Sequence, residues 1–589
     1  MIASSAAARI LVESGPGSGK TWTACSRVCS LIEHGVPPSR ILVISFTRAA
    51  VAEIRERIVR TCVDPSATAE VRIVTLDSLA GNLRTGFAGF DESFDGDFEK
   101  TINDTCRLLR EKNSELSEYL GRLGHVIVDE AQDLTGNRRD LVMGIIDALG
   151  EESGATVFHD PLQSIYGFQA QGETGVEILL NEPRNFRSVV LVNDYRTESG
   201  NLRELFKTAR GILSDPERTP RVLYDDIRAA IEASATTSIG SPHDQEFSRS
   251  QGSTLVLFRS RRELIDAAGT FLNAGKPFRL RLQRNAGAIK PWVSAVISFG
   301  TGTTMTRQEF LSGAAALDPA PPLPVDQMWS ILRRLAPSGS TSLDLDKLSR
   351  AMLSKSIPPA ITETDTGMDG SPLLSTIHAA KGREAEVVQL MLPRISDDDN
   401  GTDWAEEARI LFVGATRARR VLSIGSKPSW LSSAGMTSGR YWEKRSRKEQ
   451  KIAGVEIGLE TDVDLVLQTD AEYWNGYEAM QEVQQTLWQN CFRTVKLKAV
   501  RTDKNYRLLI DGGRDDGSPV GALGRAFTND LWTITGRVGG EGTRPPYQIR
   551  GIYMISAKSF AAEKTVDGPR FWLAPVLSGI PSIYLDSGR

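Results

Sequence analysis

The chain lacks several features that would settle its class at once, and each absence excludes something. It has no apolar run of the roughly 18 residues that a membrane-spanning helix requires, so no such helix is expected. Cysteine is scarce: five in 589 residues, at Cys25, Cys29, Cys62, Cys106 and Cys491. So few, so scattered, do not make a disulfide framework, and they fit a reducing cytoplasm. Cys25 and Cys29 stand one helical turn apart. No further His or Cys follows closely to complete a metal site, so they read as helix packing. An excess of one charge sign is missing too: 70 Lys and Arg face 74 Asp and Glu, for a net charge of -4. Any nucleic-acid contact must therefore come from a local groove rather than a global basic field. The opening Met1-Ile2-Ala3-Ser4 lacks the basic region of a secretory signal, and a cytoplasmic location is expected. At about 150 residues per domain, the length suggests roughly four domains.

What is present begins with a phosphate loop. Ile10, Leu11 and Val12 read as a short buried strand, and Gly15-Pro16-Gly17-Ser18-Gly19-Lys20-Thr21 follows, opening a helix expected to run to about His34. Strand, glycine-rich loop and helix in that order are the context such a loop needs. Glycines permit positive φ, so backbone N–H groups can turn inward on phosphate oxygens. The helix N-terminus adds a favourable partial charge. Lys20 would reach the β/γ-phosphates and the Thr21 hydroxyl would hold Mg²⁺. Ser14 stands where Gly or Ala is usual, and it is small enough to serve.

A second strand, Val126-Ile127-Val128, ends on Asp129-Glu130. Ligands of parallel α/β sheets bind at the carboxyl ends of strands. Asp129 is placed to hold Mg²⁺, a hard cation that takes oxygen ligands. Glu130 is placed to orient and deprotonate an attacking water. An acidic strand end alone is common; paired with the phosphate loop upstream it points to nucleotide hydrolysis.

Further motifs follow in order. They are Ser45-Phe46-Thr47-Arg48-Ala49-Ala50, Thr75-Leu76-Asp77-Ser78-Leu79-Ala80, Asp129-Glu130-Ala131-Gln132-Asp133 and Asp160-Pro161-Leu162-Gln163-Ser164-Ile165-Tyr166-Gly167-Phe168. Asn193-Asp194-Tyr195-Arg196-Thr197, Thr376-Ile377-His378-Ala379-Ala380-Lys381-Gly382-Arg383-Glu384 and Ala415-Thr416-Arg417-Ala418 complete the set. Together they resemble the UvrD/Rep/PcrA helicases of superfamily 1, over residues 1 to about 430. Asn185-Phe186-Arg187-Ser188 also resembles the Asn-Tyr-Arg-Ser motif, but the helical stretch that should follow begins after Arg196.

The resemblance implies roles. Lys20, Asp129, Glu130, Gln163, Arg196 and Arg417 would form the catalytic set. Gln163 would sense the γ-phosphate and the attacking water, while Arg196 and Arg417 neutralise the transferring phosphoryl group. Arg417 is expected from a second lobe, converging when the lobes close on ATP. Tyr195 would stack on the base, joined by Trp22, and Glu384 would bond near the ribose or the coupling interface. Phe46, Tyr166 and Phe168 would stack on single-stranded bases, with Arg48, Thr75, Thr376 and His378 near the strand's backbone; each aromatic also suits core packing. Gln169, Ala49 and Asp77 depart from the family pattern, and Asp77 would repel a phosphate.

The expected class is α/β: two RecA-like parallel-sheet domains with small helical insertions and a C-terminal β-rich domain. Residues 1–80 and 123–200 would form the first RecA-like domain, interrupted by a helical insertion at 81–122. Residues 201–284 and 372–430 would form the second, interrupted by a reduced insertion at 285–371. Residues 440–589 read as an accessory domain with β-like runs at Tyr506–Ile510, Trp532–Val538, Gln548–Ile555 and Arg570–Val576. A basic stretch, Arg440, Lys444, Arg445, Arg447, Lys448 and Lys451, leads into it and suits duplex or partner contact as well as a solvated linker helix. The tryptophans there read as core. The expected function is an ATP- and Mg²⁺-dependent DNA helicase or translocase moving 3′ to 5′ on single-stranded or tailed DNA. The small insertions suggest poor unwinding by the isolated chain. Two alternatives stand: an ATP-driven switch binding a protein partner, such as a nuclease in a repair or defence complex, through the C-terminal domain; and RNA as substrate.

Overall fold

The computed structural model describes residues 8–46, 48–63, 67–87, 98–166, 179–180, 184–239, 252–281, 288–297, 302–339, 341–353, 359–363, 365–367, 370–393, 401–426, 429, 431–447, 450–503, 505–512, 516–540, 542–562 and 570–585. The chain forms two compact units. The first comprises Met1–Thr237, Lys381–Val387 and Ile395–Leu422, and the second Ser238–Ala380, Val388–Arg394 and Ser423–Arg589.

The first unit is built on a parallel sheet. Its elements are β1 (Arg9–Ser14), α1 (Lys20–Glu33), β2 (Ile41–Ser45), α2 (Arg48–Thr61), β3 (Arg72–Thr75), α3 (Leu76–Phe87), α4 (Phe98–Arg110), α5 (Ser114–Gly121), β4 (His125–Val128), α6 (Gly136–Asp147), β5 (Gly154–His159) and β6 (Arg187–Leu191). Helices α7 (Gly200–Leu213) and α8 (Pro220–Ser234) follow. The sheet order is β3-β2-β4-β5-β1-β6, and every pairing in it is parallel. Its central strands read as continuous apolar runs because both faces are covered. Successive residues serve opposite faces: Ile10 and Val12 pack with Ala24, Val28 and Ile54, while Leu11 packs with Leu79, Val126 and Val157. Among the described residues of the stretch read as a helical insertion stand the end of α3, then α4 and α5. Cys29 and Cys62 are joined in a disulfide, tying α1 to the end of α2, where free thiols were expected. Their separation of 33 residues hides the pairing from any local pattern. Cys25, one turn before, is a free buried thiol.

The second unit carries β7 (Thr237–Ile239, from its second residue), β8 (Thr254–Phe258), α9 (Arg261–Asn273), β9 (Arg279–Arg281), β10 (Ala288–Ile289), α10 (Pro291–Ile297), β11 (Thr304–Thr306), α11 (Arg307–Ala315), α12 (Val325–Leu335), β12 (Pro337–Ser338), β13 (Ser342–Asp344) and α13 (Leu345–Leu353). Then come β14 (Thr362–Glu363), β15 (Thr366–Gly367), β16 (Leu373–Thr376) and β17 (Ala385–Met391). Helix α14 (Trp404–Ala415) belongs to the first unit, and β18 (Ala418–Gly425) ends in the second. A sheet of order β15-β9-β16-β8-β17-β18-β7 has β16 parallel to both β8 and β9.

The rest of this unit is mixed. Its elements are β19 (Trp442–Arg447), β20 (Gln450–Val455), α15 (Leu465–Gln468), α16 (Tyr477–Asn490), β21 (Val495–Arg501), β22 (Tyr506–Ile510), β23 (Pro519–Ala522), α17 (Arg525–Gly539), β24 (Gln548–Ala561), β25 (Phe571–Ser578) and β26 (Ser582–Leu585). A sheet runs β14-β10-β24-β21-β22-β23, with β25 on β24. Strands β11, β13 and β12 form one small sheet, and β19, β20 and β26 another. Residues 288–361 and 436–583 share a single core: Trp292, Phe310 and Leu348 pack in the same cluster as Leu497, Phe527 and Trp572.

Two local expectations fail here. The run Trp532–Val538 is helical, part of α17, because Phe527, Leu531, Ile534 and Val538 repeat at helical spacing and bury one stripe. The basic stretch is no linker helix. Trp442–Arg447 and Gln450–Val455 pair as an antiparallel hairpin, and Arg440 is fully buried. Trp474, Trp488 and Trp572 fill cores, whereas Trp532 is half exposed.

Candidate nucleotide site

The site grows from the end of β1. Gly17 and Gly19 adopt left-handed backbone conformations, with φ of 72° and 81°. A Cβ on Gly17 would fall 2.1 Å from Asp194 Oδ1, so only glycine fits there. The loop closes on itself where the Ser18 hydroxyl donates to the Gly15 carbonyl at 2.8 Å. The first turn of α1, with Lys20, Thr21 and Trp22, presents N–H groups that have no acceptor within the helix. The Tyr195 N–H donates to the Gly17 carbonyl at 2.9 Å. That bond seats the Asn193–Thr197 segment against the loop.

The acidic strand end faces the loop. Lys20 Nζ lies 3.1 Å from Glu130 Oε1. Burial alone would raise the Glu130 carboxyl, but the charges of Lys20 and Lys381 and bonds from Lys20 and Gln132 bring it down to about 2. Asp129 moves the other way, up to about 7, because it is buried and sits beside Glu130. Burial works against the Lys20 ammonium, yet Glu130, Asp160 and Asp129 outweigh it and raise its pKa. Glu130 itself stands at φ 55°, an uncommon conformation for a side-chain-bearing residue. A carboxylate and a hydroxyl, such as those of Asp129 and Thr21, are the kinds of donor that a hard cation takes alongside phosphate oxygens.

Gln163 joins this wall to the later motifs. Its Nε2 donates to Asp160 Oδ2 at 2.7 Å, and its Oε1 accepts from Arg417 Nη2 at 3.2 Å. Arg417 is 4% exposed, and its other bonds go to the carbonyls of Val413 and Arg383 and to the Thr416 hydroxyl. Burial, and then repulsion from Arg196, lowers its pKa to about 10. Arg196 donates to Glu384 at 2.7 Å and to the Thr416 carbonyl at 2.7 Å. Arg196 Nε and Asp194 Oδ2 are buried without a hydrogen-bond partner among the described residues. Lys381–Val387 and Ile395–Leu422, with Glu384 and Arg417, group with the first unit, while β17 and β18, which follow Glu384 and Arg417, are strands of the sheet that holds β8 and β16. Arg187 lies exposed on β6.

Tyr195 and Trp22 are 76% and 61% exposed, with faces free to stack. The strand-contact candidates are more dispersed. Phe46 is half-buried against the sheet's core. Tyr166 has the Lys381 ammonium 5.5 Å from its ring centroid. The Thr75 hydroxyl donates to Ser78 at 2.8 Å at the start of α3, and Asp77 accepts from Arg138 at 3.2 Å. Arg48 opens α2. Thr376, whose hydroxyl accepts from the Ala379 N–H, and His378 belong to the second unit. Phe168 lies outside the described residues.

Several site residues were not singled out from sequence. Lys381 is buried, paired with Asp133, and donates to the Gln163 carbonyl at 2.7 Å. Arg409 donates to the Ser164 carbonyl at 2.9 Å. Gln132 bridges Glu130 and the Asp160 N–H. Lys381, Arg409 and Gln132 all fall in or beside quoted motifs, which was the available signal.

A family model for the UvrD/REP helicase N-terminal domain matches residues 2–88 and 88–184. This part of the chain is a UvrD/Rep-like helicase domain. The family that the motifs resemble is thus the family found. The UvrD/Rep-like match holds the phosphate loop, the acidic strand end and Gln163. ATP-dependent DNA helicase UvrD1 of Mycobacterium leprae (strain TN) is 26% identical over 312 residues, covering 47% of this chain and 39% of that protein. An ATP-dependent helicase/nuclease subunit of Heliobacterium modesticaldum is 49% identical over 49 residues, 8% of this chain and 4% of that one. The chain spans less than half the length of the curated relatives it matches. Among solved structures, a Bacteroides Pif1 helicase in complex with ADP-AlF3 and ssDNA gives a TM-score of 0.33 at 12% identity, covering 72% of this chain and 89% of that chain.

Proposed function

We propose that the chain hydrolyses ATP and couples the reaction to movement on single-stranded DNA, with 3′ to 5′ polarity on the strength of its motifs. The observation that carries the hydrolytic part is the Lys20–Glu130 pair at the mouth of a glycine-rich loop, 3.1 Å apart, with Asp129 beside it. Lys20 would exchange Glu130 for the β/γ-phosphates. Glu130, freed of that partner, would accept a proton as the water oxygen bonds to the γ-phosphorus and the bond to the bridging oxygen breaks. Thr21 and Asp129 would hold Mg²⁺, which would supply neutralisation of phosphate charge. Gln163 and Arg417 are already bonded to each other and would turn together toward the equatorial oxygens. Tyr195 and Trp22 would flank the base.

Two relatives bear names in line with this reading, one an ATP-dependent DNA helicase and the other part of an ATP-dependent helicase/nuclease. ATPase assays with matched DNA and RNA oligomers test it. Stimulation by single-stranded DNA is expected, and stimulation by RNA alone would move the substrate to RNA.

One observation favours a second reading, a nucleotide-driven switch that binds a protein partner such as a nuclease. Phe46, the first expected stacking ring, is half-buried against the core. Translocation assays on tailed strands separate the two, because a switch hydrolyses without moving.

A further inference from the structure

One arginine outside every motif is built into this site. Arg210, on the third turn of α7, donates from Nη1 to both oxygens of Asp160 at 3.0 Å and from Nη2 to Glu13 at 3.2 Å. The Asp160 side chain is wholly buried, so its charge is costly unless paired. The same guanidinium lies against the start of the phosphate loop: a Cβ on Gly15 would come within 3.1 Å of Nη1 and 3.2 Å of Cζ. Asp160 also fixes Gln163. A carboxylate only accepts, so it selects the NH₂ end of the Gln163 amide, at 2.7 Å. The carbonyl end is then the one that meets Arg417, at 3.2 Å.

We propose that Arg210 is a positioning residue for ATP hydrolysis: by neutralising Asp160 it fixes which way the Gln163 amide points. The inference rests on the ATPase reading above. Without Arg210, Asp160 loses the guanidinium that meets both its oxygens, and its hold on the Gln163 amide loosens. Nucleotide affinity depends mainly on the loop N–H groups and Lys20, so the loss falls on turnover more than on binding.

The test compares the full chain with Arg210→Ala, Arg210→Lys, Asp160→Asn and the Arg210→Ala/Asp160→Asn double variant. Steady-state ATPase is measured alongside nucleotide affinity, read with a fluorescent ATP analogue, and thermal melts. Arg210→Ala should lower kcat by about 10- to 100-fold, the scale of a slight misplacement of catalytic groups, while the analogue's Kd changes by less than about threefold. Arg210→Lys should recover part of the loss, and the double variant should be no slower than the worse single one. Should Arg210→Ala fail to fold, Asp160→Asn carries the same kcat-against-Kd split. An Arg210→Ala kcat within about twofold of the unaltered chain, or equal losses in kcat and affinity, overturns the assignment. An unaltered chain no faster than Lys20→Ala overturns the ATPase reading itself, which is a separate result.

Discussion

Arg417 in the first unit and Arg440 in the second are both buried arginines, and their surroundings are opposite. Arg440 is fully buried with two carboxylates. Its Nη2 and Nη1 donate to Asp462 at 2.6 and 2.9 Å, its Nε to Asp530 at 2.8 Å, and it lies 4.8 Å from the Phe527 ring centroid. Burial disfavours its charge, yet Asp462 and Asp530 overcome this and raise its pKa. Arg417 bonds only neutral oxygens and sits near another arginine, and its pKa falls to about 10. One cluster is satisfied internally and ties together the segment after β20, α17 and the segment before β19. The other bonds no carboxylate, although Glu384, Glu130 and Asp160 favour its charge; a triphosphate would add to that negative charge. A buried charge bonded to fixed carboxylates is structural, whereas one bonded only to neutral oxygens can take a ligand's charge.

Substitutions that separate turnover from stability sharpen the contrast. The largest effect is expected at Arg417. Arg417→Ala should lower kcat on the order of 10³-fold or more, as for arginines that stabilise phosphoryl transfer, and leave the melting temperature unchanged or higher. A melting loss as large as that of Arg440→Ala would erase the distinction. Glu130→Gln should follow, with kcat reduced about 10²- to 10⁴-fold while a fluorescent ATP analogue still binds. Loss of binding in that variant would argue that Glu130 shapes the loop instead of activating water. Arg440→Ala should cost about 3–5 kcal/mol of stability by stranding Asp462 and Asp530. Chemical denaturation reads that cost, and turnover per folded molecule should be unchanged.

The smallest effect concerns pH. Asp129 is held at about 7 by burial and by Glu130, above its unfolded value of roughly 3.9. Folding therefore favours its protonated form, and the group's contribution to stability declines as pH rises from about 4 to 7. Asp129→Asn should raise the melting point of the nucleotide-free protein at pH 8 by the equivalent of on the order of 1 kcal/mol. The gain should shrink toward pH 5. Equal gains at both pH values would show that the carboxylate carries no such penalty.

The two regions also differ in how far they can be read before folding. β1, the glycine loop and α1 are contiguous, and their pattern of apolar run, glycines and helix is local, so their placement was legible. Asp129-Glu130 was legible for the same reason, at the end of an apolar strand. The α/β class followed from this strand–loop–helix pattern together with the resemblance to the UvrD/Rep/PcrA helicases. Arg210 was not legible, because its partners Asp160 and Glu13 are distant in sequence and only α7 packing brings them together. Lys381 stood inside a quoted motif, yet its pairing with Asp133 across the chain needed coordinates. In the second unit, Arg440 read as one cation in a basic run, because nothing local marks Asp462 and Asp530 as its partners. The stretch Trp532–Val538 mixes β-prone Trp, Ile, Thr and Val, and only the wider window from Phe527 exposes the helical stripe.

The shared core of residues 288–361 and 436–583 has a consequence for biosynthesis. Strand β10 finds its neighbour β24 only once Ser559 has been made, so Trp292, Phe310 and Leu348 leave the ribosome long before Leu497, Phe527 and Trp572 exist to cover them. At about 5–20 residues per second, the nascent chain carries that uncovered apolar wall for many seconds. A nascent polypeptide stalled before Gln548 should therefore be the form that chaperones hold longest.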